Sequence, residues 1–140
     1  MMRKIIPDVL TDPNVQSVKL NTTVMDAATL MRDHDVGAVA VMSDNILKGI
    51  LTVNDVAYRV VAEGLEPENT VVETVMTPSP DTIRPDSTAI EALRLMQNGG
   101  YRHLPVEKDG HVLAVISRRD FFGQEKARLD DETALWERIA

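Results

Sequence analysis

Two short segments of the chain combine a hydroxyl and a carboxylate at the same spacing: Thr52-Val53-Asn54-Asp55 and Ser117-Arg118-Arg119-Asp120. Each follows an apolar run and is predicted to begin a helix. An ionised carboxylate at this point can accept hydrogen bonds from the two adjacent hydroxyls of a ribose. The free N–H groups of a first helical turn favour a phosphate. Each segment therefore offers an acceptor for ribose hydroxyls beside groups that can donate to a phosphate.

The same spacing also has a purely structural explanation. A Ser or Thr followed three residues later by an acid is a variant of the capping box, which stabilises the start of a helix. Capping alone does not explain why the pair recurs at the same point in two halves of the chain. One hydroxyl can both cap and bind, so the motif leaves both roles open.

An internal repeat relates the two segments. The stretch 17–57 aligns with 82–122 without a gap, and seven of the 41 aligned pairs are identical, among them Asp55 and Asp120. Average residue usage would give about two or three identities. A chain of 140 residues is long enough for one compact domain, so the repeats must share a core. The repeat predicts one pseudo-symmetric module with two related sites.

The first repeat is predicted to contain a strand, a helix, two strands and a second helix. The strand covers 16–19, and the helix after it starts near Thr23 with apolar residues at helical spacing. Strands at 37–42 and 46–51 flank a turn. The second helix runs from Thr52 to a C-terminal glycine, Gly64.

The second repeat is predicted to have the same order of elements. Thr88 and Glu91 form a capping-box pattern, and Asp109-Gly110 between apolar runs predicts a hairpin of strands 103–107 and 111–116. A terminal amphipathic helix is predicted beyond Gly123. Its apolar residues are Ala127, Leu129, Ala134, Leu135, Trp136 and Ile139.

Composition excludes several classes of protein. The chain has no cysteine, so disulfides and thiolate chemistry are absent, and its net charge of −7 argues against non-specific nucleic-acid binding. No apolar run approaches the roughly 20 residues of a membrane span, which favours a cytoplasmic protein. The three histidines lack metal-ligand spacing, and no catalytic triad or phosphate-binding loop occurs. We therefore expect neither an enzyme nor a metal site.

Several segments of the two repeats resemble a CBS domain. In the second repeat they are Val72–Thr77, Ile83–Pro85, Tyr101–Val106 and Ala114–Asp120. The first repeat matches through Val36–Val41 and Gly49–Asp55. The resemblance covers about residues 8 to 123.

The resemblance implies a CBS pair, or Bateman module, of mixed α+β class. It would consist of two pseudo-symmetric β-α-β-β-α repeats, at 8–66 and 76–133, packed through their sheets. In this family the clefts between repeats often hold an adenosine-containing ligand such as AMP, ADP, ATP, NAD or S-adenosylmethionine. The family also implies a homodimer and a protein effector that the sequence does not identify.

Family arrangement implies two ligand sites, each using both repeats. The site with Asp120 would use Ser17, Val36, Gly37, Ala38, Arg102, His103, Ser117, Arg118, Arg119 and Asp120. The site with Asp55 would use Thr52, Asn54, Asp55, Thr82, Tyr101, Arg102 and His103.

Charge predicts that the two sites differ. Arg118 and Arg119 precede Asp120, whereas the uncharged Val53 and Asn54 precede Asp55. Guanidinium groups neutralise and hydrogen-bond a phosphate chain. The hypothesis is therefore that the Asp120 site binds a charged nucleotide more tightly.

We thus expect a stand-alone, non-catalytic sensor of an adenosine-containing ligand. The alternative is a module that binds no ligand and acts through dimerisation or partner docking, with the terminal helix as its contact surface. The sequence does not choose among the adenosine ligands, nor does it name a partner.

Overall fold

The fold consists of two similar halves, each with a helix packed against a β-hairpin. The computed structural model describes residues 2–121, 123, 126 and 127. The strands of the described chain are β1 (Ser17–Lys19), β2 (Ala38–Ser43), β3 (Ile46–Thr52), β4 (Thr77–Pro78), β5 (His103–Lys108) and β6 (His111–Ser117). Its α-helices are α1 (Val24–His34), α2 (Val53–Asp55, continued by a π-helical stretch over Val56–Val61) and α3 (Ala89–Gly99). A π-helical turn lies at Ile5–Val9, and 3₁₀ turns lie at Pro67–Asn69, Val72–Thr74 and Arg118–Asp120.

Both halves use the same strand connections. In the first, β1 runs parallel to β2, and the antiparallel β2–β3 hairpin gains β4 at its outer edge. In the second, β5 and β6 form the hairpin, and Ile83 makes a parallel bridge to Val106. Val18 pairs with Val41 in the same way, and these two residues are the repeat equivalents of Ile83 and Val106. The mixed α+β repeat predicted from the sequence is confirmed.

Local residue chemistry sets the helix ends and turns. Thr23 Oγ1 accepts from the backbone N–H of Asp26, and Thr88 and Glu91 form a complete capping box. Helix α3 ends at Gly100, which has φ +72°. At the hairpin turn of the second repeat, Asp109 and Gly110 both have positive φ, as an Asp-Gly turn requires.

The second helices of the two repeats differ. Residues 53–61 are helical, but the equivalent segment begins with a single 3₁₀ turn at Arg118–Asp120. Phe121 then adopts an extended conformation (φ −95°, ψ 149°) and buries its ring. Of the predicted terminal helix beyond Gly123, the structure describes Lys126 and Ala127, which are both helical. The rest of that helix and the end of the proposed second domain at 133 lie outside the described residues.

Among the described residues each half has its own mainly aliphatic core, so the single shared core expected from the chain length was wrong. Each core is completed by a segment that precedes the other half. Ile5 is fully buried in the core of the second repeat and donates its N–H to the Ser87 carbonyl at 2.9 Å. Val72 is fully buried in the core of the first repeat and donates to the Thr22 carbonyl at 2.8 Å. Thr22 and Ser87 are equivalent positions of the two repeats, so the two segments play matching roles.

Candidate functional site

Two clefts of very different size lie between the repeats. The larger, called the Asp55 cleft, has a volume of about 930 Å³ and combines the start of α2 with residues from the loop before β5 and the end of β6. The smaller, called the Asp120 cleft, has a volume of about 150 Å³ and combines the end of β6 with the start of β2 and the N-terminal segment. Each cleft is lined by one of the two equivalent carboxylates, Asp55 or Asp120.

The Thr52–Asp55 pair at the Asp55 cleft is a capping box. Asp55 Oδ2 accepts from the Thr52 N–H at 2.9 Å, and Thr52 Oγ1 accepts from the Asp55 N–H at 3.2 Å. The other carboxylate oxygen of Asp55 lies 3.6 Å from Nε of Arg59. Asp55 is only 8% exposed, yet it lines the cleft. The Asp55 carboxylate therefore caps the start of α2 and also lies where it can contact a ligand.

The Ser117–Asp120 pair has a similar arrangement. Asp120 Oδ2 accepts from the Ser117 N–H at 2.7 Å. Ser117 Oγ accepts from the Arg119 N–H at 3.4 Å, which is a long hydrogen bond. Asp120 is half-buried and lines the smaller cleft. The two carboxylates are thus held by the same backbone geometry.

Most residues predicted for the Asp55 site line the Asp55 cleft. They are Thr52, Asn54, Asp55, Tyr101, Arg102 and His103. Thr82 does not line it; the preceding residues Pro80 and Asp81 do. Arg118 and Arg119, predicted for the other site, also line this larger cleft.

The Asp120 cleft contains a smaller share of its predicted residues. Those present are Val36, Gly37, Ala38, His103, Ser117, Arg119 and Asp120. Ser17, Arg102 and Arg118 do not line it. Leu10, Asn14, Gln16 and Val115 line it without having been predicted. Three of these four, Asn14, Gln16 and Val115, are equivalent to Ser79, Asp81 and Ile50 of the Asp55 cleft, which the sequence did not predict either.

Arg119 makes a hydrogen bond between the repeats. Its Nη2 donates to the backbone carbonyl of Asp35 at 2.5 Å. Asp35 caps the C-terminus of α1 with a left-handed conformation (φ 51°). A cation is favourable at this end of a helix, where carbonyl groups lack helical partners. The guanidinium therefore bonds the first repeat, although the sequence predicted it as a phosphate ligand.

His103 and Gly37 form a wall shared by both clefts. A methyl group at Gly37 would lie 2.9 Å from Nε2 of His103, so the imidazole occupies the space that a side chain there would need. Burial lowers the pKa of His103, and the positive charges of Arg119 and Arg102 lower it further, while Asp120 opposes them. The wall therefore favours a neutral imidazole.

Tyr101 lines the Asp55 cleft and is held in position by contacts with Asp81 and Gly99. Its hydroxyl donates to Asp81 Oδ2 at 2.6 Å, and its ring lies against Gly99, where a side chain would collide with it. Burial raises the pKa of Tyr101, and the hydrogen bond to the Asp81 carboxylate raises it further. This pair presents a fixed carboxylate acceptor to the cleft.

The CBS domain family model matches residues 6–62 and 72–124. The chain belongs to the CBS domain family. The Arabidopsis thaliana CBS domain-containing protein CBSCBSPB5 is 43% identical over 113 residues, which are 80% of this chain and 20% of that protein. The chain therefore spans about a fifth of the length of this relative. The CBS pair predicted from the sequence is confirmed.

Solved structures of CBS proteins share the fold. A protein with CBS domains from Burkholderia ambifaria is 32% identical, with a TM-score of 0.74 over 77% of this chain and 79% of that one. The CBS domain protein PAE2072 from Pyrobaculum aerophilum, solved in complex with AMP, is 22% identical, with a TM-score of 0.78 over 93% and 99%. No helix among the described residues of our CBS pair is long and apolar enough to cross a membrane.

Proposed function

We propose that this CBS pair is a non-catalytic regulatory module that binds an adenosine-containing nucleotide in the Asp55 cleft. The observation that carries the proposal is one open cleft in which the Asp55 carboxylate is joined by Arg102 and Arg118 of the other repeat. A ligand there contacts both repeats, so its binding responds to their relative position.

Cleft volume supports the choice of site. Small-molecule sites in proteins have volumes of about 300 to 1,000 Å³. The Asp55 cleft, at about 930 Å³, lies within that range, whereas the Asp120 cleft, at about 150 Å³, is too small for a nucleotide without opening. The sequence-based hypothesis gave the tighter site to Asp120; the geometry favours Asp55.

The chemistry of the lining supports a nucleotide as the ligand. Asp55 is a carboxylate acceptor for ribose hydroxyls, and the guanidinium groups of Arg102 and Arg118 can hydrogen-bond a phosphate in bidentate geometry. Arg102 and Arg118 belong to the second repeat, whereas Asp55 belongs to the first. The residues that precede Asp55 in sequence, Val53 and Asn54, are uncharged, so the positive charge of the cleft comes from the opposite repeat. A neutral His103 can accept or donate a hydrogen bond without adding charge.

Family and fold point to the same ligand class. The resemblance to CBS domains implies adenosine-containing ligands, and a protein of this fold has been solved in complex with AMP. AMP, ADP and ATP are therefore the first choices, with NAD(H) and S-adenosylmethionine as further ones. A cytoplasmic homodimer that passes the signal to a protein effector completes the proposal.

The test is a thermal-shift and calorimetric titration of purified protein with AMP, ADP, ATP, NAD, NADH and S-adenosylmethionine. Ligand at 100 times Kd stabilises a folded protein by about 2.7 kcal/mol, which shifts the unfolding temperature of a domain this size by several degrees. Asp55→Asn should weaken binding of the active compound at least tenfold, because a neutral amide is a weaker acceptor of ribose hydroxyls than a carboxylate.

Asp120→Asn is the matched control. In both variants the amide oxygen can still accept the N-cap N–H, so the helix starts are preserved while the charge is lost. Asp120→Asn should change the affinity less than threefold. A larger loss from Asp120→Asn than from Asp55→Asn would assign the nucleotide to the smaller cleft. Absence of any shift would refute nucleotide binding.

A ligand-free interaction module is the second candidate, and one surface favours it. An apolar groove of about 420 Å³ runs between α1 and α2, and Val53 and Val61 beside it are more than half exposed. Sedimentation of the wild type and of Val61→Glu would show whether this face joins two copies. Dimerisation without any nucleotide response would replace the first proposal by this one.

A further inference from the structure

The hydrogen bond from Arg119 to the Asp35 carbonyl directly connects the two halves of the fold. Donor and acceptor are 84 residues apart in sequence, and the distance is 2.5 Å. Arg119 extends from the 3₁₀ turn after β6, and Asp35 is the residue that ends α1. The bond therefore holds the helical layer of the first repeat to the strand end of the second.

Arg119 lies at the boundary of the two clefts and contributes to the lining of both. Its side chain is exposed, so solvent and ligands can reach it. In the alignment of the repeats, Arg119 corresponds to Asn54, and Asp35 corresponds to Gly100. Asn54 carries no charge, so it cannot make a charged hydrogen bond like that of Arg119. The Arg119–Asp35 bond therefore has no charged counterpart at the equivalent position of the first repeat.

The carbonyl is a weaker partner for the guanidinium than a phosphate would be. A guanidinium donating to a phosphate meets a full negative charge and can make two parallel hydrogen bonds, whereas a carbonyl at a helix C-terminus offers one acceptor with only a partial negative charge. A phosphate in the Asp55 cleft, neutralised by Arg102 and Arg118, would lie in the cleft that Arg119 also lines. It would therefore compete with Asp35 for Arg119.

We infer that Arg119 is a latch between the repeats that the phosphate of a bound nucleotide releases. The inference rests on the proposed function and adds how binding changes the protein. In the ligand-free state Arg119 ties α1 to the second repeat. In the bound state it turns to the phosphate, and the repeats are free to adopt another relative position. The ligand shifts this equilibrium because it interacts with Arg119 in the released state alone.

The latch makes the phosphate, and not the nucleoside, the releasing group. Adenosine has the ribose that Asp55 can bind but no phosphate to attract Arg119. It is expected to occupy the cleft and leave the Arg119–Asp35 bond intact. AMP is expected to break it.

The carbonyl carbon of Asp35 reports the bond directly, because its NMR chemical shift depends on whether the oxygen accepts a hydrogen bond. Asp35 does not line the Asp55 cleft, so the ligand does not perturb it by contact. At 15.5 kDa the chain is well suited to this measurement on isotopically labelled protein. Spectra would be recorded for the wild type, Arg119→Ala and Arg118→Ala, each alone, with adenosine and with AMP.

Arg118→Ala is the matched control, since Arg118 is the adjacent arginine and lines the same cleft without bonding Asp35. In the wild type, AMP should move the Asp35 signal and adenosine should not. In ligand-free Arg119→Ala the signal should already lie at the AMP position, and AMP should move it no further. In Arg118→Ala the signal should start at the wild-type position and still respond to saturating AMP.

The affinities provide a second readout. Arg118→Ala loses a phosphate contact and should weaken AMP binding roughly tenfold, as expected for one charged hydrogen bond. Arg119→Ala loses a contact but also has no latch to break, so its loss should be less than threefold. AMP that binds and leaves the wild-type Asp35 signal unchanged would overturn the latch alone. Failure of every adenosine compound to bind would overturn the proposed function, and the latch with it.

Discussion

The Asp55 cleft and the Asp120 cleft are built on equivalent backbone positions, yet one is about six times larger than the other. Between the aligned repeats, Gln16 corresponds to Asp81, Val36 to Tyr101 and Asn54 to Arg119. In the smaller cleft the long Arg119 reaches across to the opposite repeat. Equivalent positions in the repeats therefore do not give equal sites, because the side chains at those positions differ.

The segments that border the two clefts differ as well. β4 pairs with β3 at the edge of the Asp55 cleft, where Thr77 lies opposite Ile50 and Pro78 opposite Gly49. Gly49 makes this approach possible, since it has no side chain to meet the strand. The equivalent residue in the second repeat is Ala114. Among the described residues, β6 pairs with β5 and has no second strand beside it.

Gly49→Ala is expected to have the largest effect on this comparison. The added methyl group would lie 2.5 Å from Sδ of Met76 and 2.8 Å from the Thr77 carbonyl oxygen, so β4 must move. Overpacking of this kind costs about 2 kcal/mol in free energy of unfolding. Urea denaturation would measure the loss, and the displaced Thr77 should also weaken AMP binding.

Ala114→Gly is the reverse change at the equivalent position. It should cost about 1.5 kcal/mol, because the substitution places a glycine inside a strand and removes a methyl group buried in the core of the second repeat. AMP binding should change little, because no second strand of the described chain lies beside β6 to be displaced. Equal losses of AMP affinity from Gly49→Ala and Ala114→Gly would show that the pairing of β4 does not distinguish the two sides.

Tyr101→Phe tests the hydrogen bond from the Tyr101 hydroxyl to Asp81 in the Asp55 cleft. Val36, the equivalent of Tyr101 at the Asp120 cleft, has no hydroxyl and cannot make such a bond. Loss of the hydrogen bond to Asp81 should reduce the free energy of unfolding by about 1 kcal/mol at pH 7. The folded-state pKa of Tyr101 is raised above its ordinary value of 10.0, so its contribution is complete below that pH and is lost as the pH rises further. The difference between wild type and Tyr101→Phe should therefore shrink above pH 10.

Tyr58→Phe serves as the control for this experiment. Tyr58 lines the same cleft but is 68% exposed, so its loss should change stability very little. Denaturation of the three proteins between pH 7 and pH 11 would give the comparison. A difference that grows with pH would contradict the role assigned to the Tyr101–Asp81 bond.

His103→Gln tests the wall between the clefts and should have the smallest effect. The folded-state pKa of His103 is depressed, so the unfolded chain binds more protons once the pH falls below about 6.5. The contribution of the neutral imidazole is present above that pH and is lost as the pH falls. Wild type and His103→Gln should therefore differ most near pH 7.5 and converge towards pH 5.

His111→Gln is the matched control for the acid range, since His111 is exposed at the start of β6. Its stability should follow that of the wild type across the same pH range. If His111→Gln removed the fall in stability at acid pH and His103→Gln did not, His103 would not be the source of that fall.

Features set by neighbouring residues could be predicted from the sequence. The capping box at Thr88 and Glu91 and the turn at Asp109-Gly110 depend on residues at most three positions apart, and both are present. Asp55 and Asp120 were identified because the repeat places each after an apolar strand. Such interactions do not depend on how the halves pack, so a local pattern is enough to find them.

Features set by distant residues could not be predicted. Nothing near Arg119 indicates that it will reach the carbonyl of Asp35, and a basic residue next to a helix start has an equally good explanation as a phosphate ligand. The second helix of the second repeat was expected to match the first, but the buried Phe121 is extended and separates the 3₁₀ turn from the helical residues Gly123, Lys126 and Ala127. Both outcomes depend on the packed structure.

The exchange of segments between the halves has a consequence for the order of folding. Val72 and Val75 follow the first repeat directly, so the core of that half is complete once synthesis has passed Met76. The second half needs Ile5, whose partner Ser87 is made much later. Closing this longer loop costs little extra free energy, because the cost rises only with the logarithm of length. It does mean that the segment around Ile5 leaves the ribosome long before its hydrogen-bond partners, and remains without them until the second repeat has emerged.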